Sequence, residues 1–244
     1  NRKKKHWNRS IQMVAPSKWL ANCISSSELI SKWPVSIIPN TIDTEFWKPM
    51  NKTLARQQLN LPNDVPLLLF GAIGGGSDPR KGFDLLSHSL EKLRDDPSTE
   101  GLELIIFGQN KPKLAPELGF PVHYTGKLRD DLSLRVLYNS ADMMLIPSRQ
   151  DNLPNTGVEA HACGVPVVAF NTGGLPDIVM HNKTGYLAKA FDTEDFANGI
   201  ISILRQRSQA LLGDNARERA VAKFSEKKIT SSYMKIYEKI LDLS

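Results

Sequence analysis

The sequence predicts an α/β fold, a doubly wound parallel sheet with helices on both faces. Short apolar runs rich in β-branched residues recur along the chain at 66–70, 102–107, 142–146 and 166–170. Helix-length amphipathic stretches lie between them. The runs are also continuously apolar, as strands buried on both faces must be.

In chain order, Pro16 and Ser17 suit the first turn of a helix running through Trp19, and 35–38 reads as a strand before Pro39-Asn40. The stretch 40–49 reads as an ordered linker. The four apolar runs follow, with a weaker strand at 122–125, and helices are predicted over 82–94, 130–140, 155–162 and 176–179. The remainder, 193–243, reads as almost wholly helical, with breaks expected at Gly213-Asp214 and around Phe224-Ser225.

The net charge of +5 is confined to one end, because Arg2, Lys3, Lys4, Lys5 and Arg9 supply five bases with no acid among them. With those five removed the remaining bases balance the 26 acids. A nucleic-acid partner is therefore not expected, since it calls for a basic face on the folded body. The basic run reads as a solvated segment, with anionic lipid head groups as the other reading. Cys23 and Cys163 have no metal-binding spacing and read as small buried hydrophobes. No run approaches the ~20 apolar residues of a membrane span, and none is flanked as a signal peptide would be. A cytoplasmic protein is expected, and the lack of an initiating Met suggests a chain that begins inside a longer one.

In open α/β sheets ligands sit beyond the carboxyl ends of the strands, which selects two loops. The first, 71–82, holds Gly74, Gly75 and Gly76, whose backbone can approach a phosphate closely, followed by Arg80 and Lys81, which can neutralise a diphosphate. Its spacing matches neither a dinucleotide fingerprint nor a P-loop, so a plain surface turn is the other reading. The second loop carries Asp151, then Pro154 at a helix start with Asn155 and Thr156, then Glu159 inside the helix. Free amides at the helix start attract an anion. An acid on either side of that anion could bind hydroxyls, as a nucleotide sugar requires. Asp151 could instead be a helix cap, but an unpaired Glu159 entering the core would be costly.

These residues resemble a known family. Pro147-Ser148, the run from Asp151 to Glu159, Cys163-Gly164-Val165-Pro166 and Gly173-Gly174-Leu175-Pro176 are similar to the donor-site signature of retaining GT-B glycosyltransferases of the group-1 (family 4) type. Arg80-Lys81-Gly82-Phe83, Phe107-Gly108, Tyr124-Thr125-Gly126 and Thr184-Gly185-Tyr186 fit the same pattern, and Pro39-Asn40 with Ile42-Asp43 resembles its interdomain linker.

The resemblance implies a Rossmann-like domain over 50–228, a remnant of an N-terminal acceptor domain and linker over 1–49, and a terminal helix over 229–244 crossing back toward the remnant. It implies a UDP- or GDP-sugar donor, retention of anomeric configuration and no metal or other cofactor. Asp151 would meet the hexose and Glu159 the ribose. Arg80 and Lys81 would contact the diphosphate, with the amides of Asn155 and Thr156 closing around it, and the base would lie near Gly108, Lys127 and Leu128. The acceptor would be a glycan or a lipid-linked glycan held by the absent domain, with peripheral membrane contact, and this chain alone would transfer little. Two departures stand out: Asp151 replaces the usual Glu, and Arg80 adjoins Lys81 in place of the family's wider spacing. A nucleotide-binding regulatory module is the alternative reading. A dinucleotide oxidoreductase, with Asp95 or Asp96 on the ribose, lacks its fingerprint. His88 and His161 read as surface or packing residues.

Overall fold

The computed structural model describes residues 2–3, 7, 9–71, 78–206 and 209–241. Two parallel sheets are present among them. A small one pairs β1 (Met13–Ala15) with β2 (Val35–Ile37) around helix α1 (Lys18–Ser25), which Ser17 caps by accepting from the Leu20 amide. The linker 40–49 is ordered: Asp43 accepts the amides of Glu45 and Phe46, and Trp47 is buried. Arg217 holds the linker from below, donating to the carbonyls of Thr44 and Trp47 at 2.7 and 2.6 Å.

After α2 (Lys52–Gln58) comes the main sheet of six strands: β3 (Leu67–Gly71), β4 (Glu103–Phe107), β5 (Val122–Gly126), β6 (Met143–Ile146), β7 (Val167–Phe170) and β8 (Gly185–Ala188). Their order is β5-β4-β3-β6-β7-β8, every pair parallel. Successive residues point to opposite faces, and both faces are covered. Leu67, Leu69, Ile105, Met144 and Val167 pack under α4 (Asp131–Ser140), α5 (Asn155–Ala162) and α8 (Gln209–Phe224). Leu68, Leu104, Ile106, Met143 and Val168 pack under α3 (Phe83–Glu91) and α7 (Thr193–Arg205). This two-sided burial is why the strands read as unbroken apolar runs.

A short helix α6 (Leu175–Ile178) follows Gly173-Gly174, and α9 (Glu226–Ile240) ends the described chain. The linker meets α8 and α9 where the Ile42 amide donates to the Phe224 carbonyl at 2.9 Å. Along α9, Ile229 is buried, while Met234, Tyr237 and Ile240 are exposed.

Several expectations need correction. The break expected at Gly213-Asp214 lies within α8, and the interruption falls after Arg205. Gly213 is a packing glycine: a Cβ there would collide with the carbonyl of Gly164, so its absence lets α8 lie close to the turn after α5. Cys163 is buried as expected, but Cys23 is exposed, because α1 buries Ala21 and Ile24 on its other face. Strands β1 and β8 and helix α2 were not anticipated. β8 is an edge strand whose central residues are half-buried, so it carries no continuous apolar run.

Candidate functional site

The strand order reverses between β3 and β6, the place where an open α/β sheet leaves a crevice beyond its carboxyl ends. A cleft of about 590 Å³ occupies this place. Arg80, Lys81, Gly108, Lys127, Leu128, Asn155, Thr156 and Glu159 all line it, together with Phe107, Leu134 and Tyr138. Gly75 and Gly76, also expected at the site, lie outside the described residues.

The basic pair is shaped by its own short sequence. Asp78 caps a 3-10 turn over Pro79–Lys81 by accepting the Arg80 amide at 3.0 Å, and Pro79 sets the turn's first position. Gly82 closes it at φ +66°, where an added Cβ would collide with the Pro147 carbonyl. This turn is therefore seated against the exit of β6. Arg149 ties the two together: its amide donates to the Arg80 carbonyl at 2.8 Å, and its guanidinium pairs with both oxygens of Asp84 at 2.7 and 2.6 Å. Those bonds hold the Asp84 carboxyl down to about 2. The Arg80 guanidinium is mostly exposed and pairs with Asp78 at 2.9 Å.

The opposite wall is α5. Pro154 stands at its cap position and makes no side-chain capping bond, so the amides of the first turn are left for an anion. Asp151 is not the cap. Its carboxylate accepts from Lys81 Nζ at 2.7 Å, and its carbonyl accepts the Gly174 amide at 2.9 Å. Gly173 and Gly174 are required here, since a Cβ on either would strike the carbonyls of Asp151 and Asn152. Asn152 in turn accepts from Ser17 Oγ at 2.6 Å, and Asp177 accepts the Lys18 amide at 2.7 Å, so the N-terminal segment docks beside the same loop.

Glu159 lies one turn into α5 and is half-buried. Burial pushes its carboxyl up, the hydroxyl of Tyr138 opposes this by donating to Oε2 at 2.7 Å, and the charge of Asp131 adds to the rise. Burial beside this acid drives the Tyr138 phenol well above its ordinary value, so it stays a donor. Sequence reasoning missed Tyr138, which reads as one more core residue of a helix 21 positions earlier. It also missed Asp78, adjacent to the pair it caps.

His88 is exposed, and His161 is fully buried, with Nε2 3.0 Å from the Thr184 carbonyl and its pKa depressed to about 3 by burial. Burial also raises the Cys163 thiol to about 12, leaving it unreactive. Among the described residues no group of three or more His, Cys, Asp or Glu could hold a metal ion, and no helix is long and apolar enough to cross a membrane.

Known proteins resemble this chain in sequence and fold. The family model for glycosyl transferases group 1 matches residues 67–206. The D-inositol 3-phosphate glycosyltransferase of Saccharomonospora viridis is 31% identical over 214 residues, covering 82% of this chain and 49% of that protein. This chain thus spans about half the length of the curated relatives it matches. Sucrose-phosphate synthase from Thermosynechococcus elongatus superposes with a TM-score of 0.79 at 26% identity, covering 99% of this chain and 61% of that one. Anabaena HepE, solved in complex with UDP and glucose, shares the fold with a TM-score of 0.71 at 22% identity, over 93% of this chain and 62% of that one. By the family match and the six-stranded parallel sheet, this chain belongs to the group 1 glycosyltransferases and has their GT-B fold.

Proposed function

We propose that this chain is the donor-binding part of a retaining glycosyltransferase that uses a UDP- or GDP-sugar. The observation that carries this reading is the convergence on one cleft of two cations, the uncapped start of α5 and a half-buried acid. The diphosphate would lie against Arg80, Lys81 and the amides of Asn155 and Thr156. The ribose would meet Glu159, the base would lie beside Gly108, Lys127 and Leu128, and the hexose would reach Asp151. A solved relative of the same fold holds UDP and glucose, which supports a uridine nucleotide as the first to test.

The chemistry would be electrostatic. The bond from the anomeric carbon to the diphosphate breaks while the acceptor hydroxyl attacks from the same side and passes its proton to the departing phosphate oxygen. The cations and helix amides stabilise the charge that collects on the departing phosphate oxygen. No metal is needed for that stabilisation. The acceptor, a glycan or a lipid-linked glycan, would be held by a domain of which 1–49 is the last part, with peripheral membrane contact by the whole enzyme. Residues 50–228 would form the donor domain, and 229–244 the helix that returns toward the acceptor side. Positioning two substrates supplies much of the rate, so this chain alone would bind donor and transfer little.

Calorimetric titration with UDP, GDP and their hexose conjugates tests the reading. One nucleotide should bind, and Glu159→Ala should weaken it roughly tenfold or more, as expected for loss of a charged acceptor of hydroxyl bonds. Equal binding by the chain and its Glu159→Ala variant would refute the proposal.

A further inference from the structure

Glu159 enters the cleft with one oxygen already committed. Oε2 accepts from Tyr138 at 2.7 Å, whereas no protein donor to Oε1 is found among the described residues. Tyr138 itself cannot turn away. It is fully buried, with Phe107 set edge-on at 6.0 Å and Trp47, from the linker, edge-on at 5.9 Å. The ring is thus clamped between the end of β4 and the chain that enters the domain.

We infer that Tyr138 is a positioning residue for nucleotide binding: its hydroxyl locks the rotamer of Glu159, so that Oε1 is offered to a sugar hydroxyl in the cleft. This rests on the reading of Glu159 as the ribose-binding acid. Without that donor the carboxylate would face burial and the Asp131 charge unopposed, and it would take up a proton at higher pH. The other titratable groups around it do not replace Tyr138. The Cys163 thiol at the end of α5 is neutral, Arg135 and Arg217 act on that thiol, and Lys81 and Lys127 belong to other walls of the cleft.

The test is UDP affinity of the chain and of Tyr138→Phe, Glu159→Ala and the double variant, measured from pH 4.5 to 8. Tyr138→Phe keeps both aromatic contacts and should weaken UDP about three- to tenfold at neutral pH, the range expected when a charged group loses a hydrogen bond. Its affinity should fall away at a higher pH than that of the unaltered chain, because the donor that opposes the rise of the Glu159 carboxyl is gone. The diphosphate's own titration is common to all four proteins and cancels in the comparison. In the Glu159→Ala background Tyr138→Phe should cost nothing further. A second measurement, carbon-13 NMR of labelled glutamate side chains assigned with Glu159→Gln, should show the Glu159 midpoint rising in Tyr138→Phe.

If Glu159→Ala leaves UDP affinity unchanged, the ribose reading fails and this proposal with it. If Glu159→Ala weakens UDP but Tyr138→Phe shifts neither the pH dependence of binding nor the NMR midpoint, the ribose reading stands and Tyr138 is only a packing residue.

Discussion

Lys81 Nζ lies 2.7 Å from Asp151 Oδ2 across a sequence separation of 70 residues. The pair joins the turn that follows β3 to the loop that opens α5, so Asp151 offsets part of the charge that Lys81 presents to the cleft. Lys81 therefore meets an incoming diphosphate with part of its charge already answered.

Asp151→Asn should raise the affinity for free UDP about two- to fivefold, since a partly exposed ion pair is worth up to ~1 kcal/mol. The same change should reduce the preference for UDP-hexose over UDP, because Asp151 is the acid proposed to meet the hexose. Calorimetry with both ligands checks the two effects together. A loss of UDP affinity would show that Asp151 helps to hold Lys81 in place.

Arg149 fastens the turn carrying Arg80 and Lys81 through its amide and its bidentate contact with Asp84. Arg149→Ala should weaken UDP roughly two- to fivefold, with little loss of stability because Asp84 is more than half exposed. The Asp84 carboxyl is depressed to about 2, so the clasp is complete above the usual carboxylate range and is lost only as pH falls toward 2. The effect of Arg149→Ala should accordingly be flat between pH 6 and 8.

His161 is buried and neutral, with a folded pKa of about 3 against about 6.5 in an unfolded chain. A depressed value means the unfolded chain binds the proton first. Stability is therefore intact above about 6.5 and falls as pH drops toward 3, by about 1.4 kcal/mol per unit at most. Urea denaturation at pH 7, 6 and 5 should show this loss, and His161→Gln, which keeps a donor for the Thr184 carbonyl, should reduce it.

Gly213→Ala should destabilise the chain by about 1–3 kcal/mol despite the higher helix propensity of alanine, because the new Cβ would strike the Gly164 carbonyl and force α8 outward. A rise in melting temperature would show that the turn after α5 can yield.

The expectation of a break at Gly213 failed for the same reason. Glycine commonly ends helices, but it also permits close approach, and the sequence does not say which. Strand β8 was missed because an edge strand needs only half its residues apolar, and Cys23 because α1 has little core to bury it.

The parallel sheet was legible from the residues alone, because strands buried on both faces must be apolar throughout, and so were the two loops at its carboxyl edge. Whether Arg80, Lys81, Asp151 and Glu159 stand near one another was decided by the reversal of strand order between β3 and β6. The partners of those residues were decided by tertiary structure alone. Tyr138 reaches Glu159, Lys81 reaches Asp151 and Arg149 reaches Asp84 only after α3, α4 and α5 have packed on the sheet. Hydrogen bonds act over about 3 Å, and sequence periodicity specifies which face a residue occupies without specifying what lies opposite it.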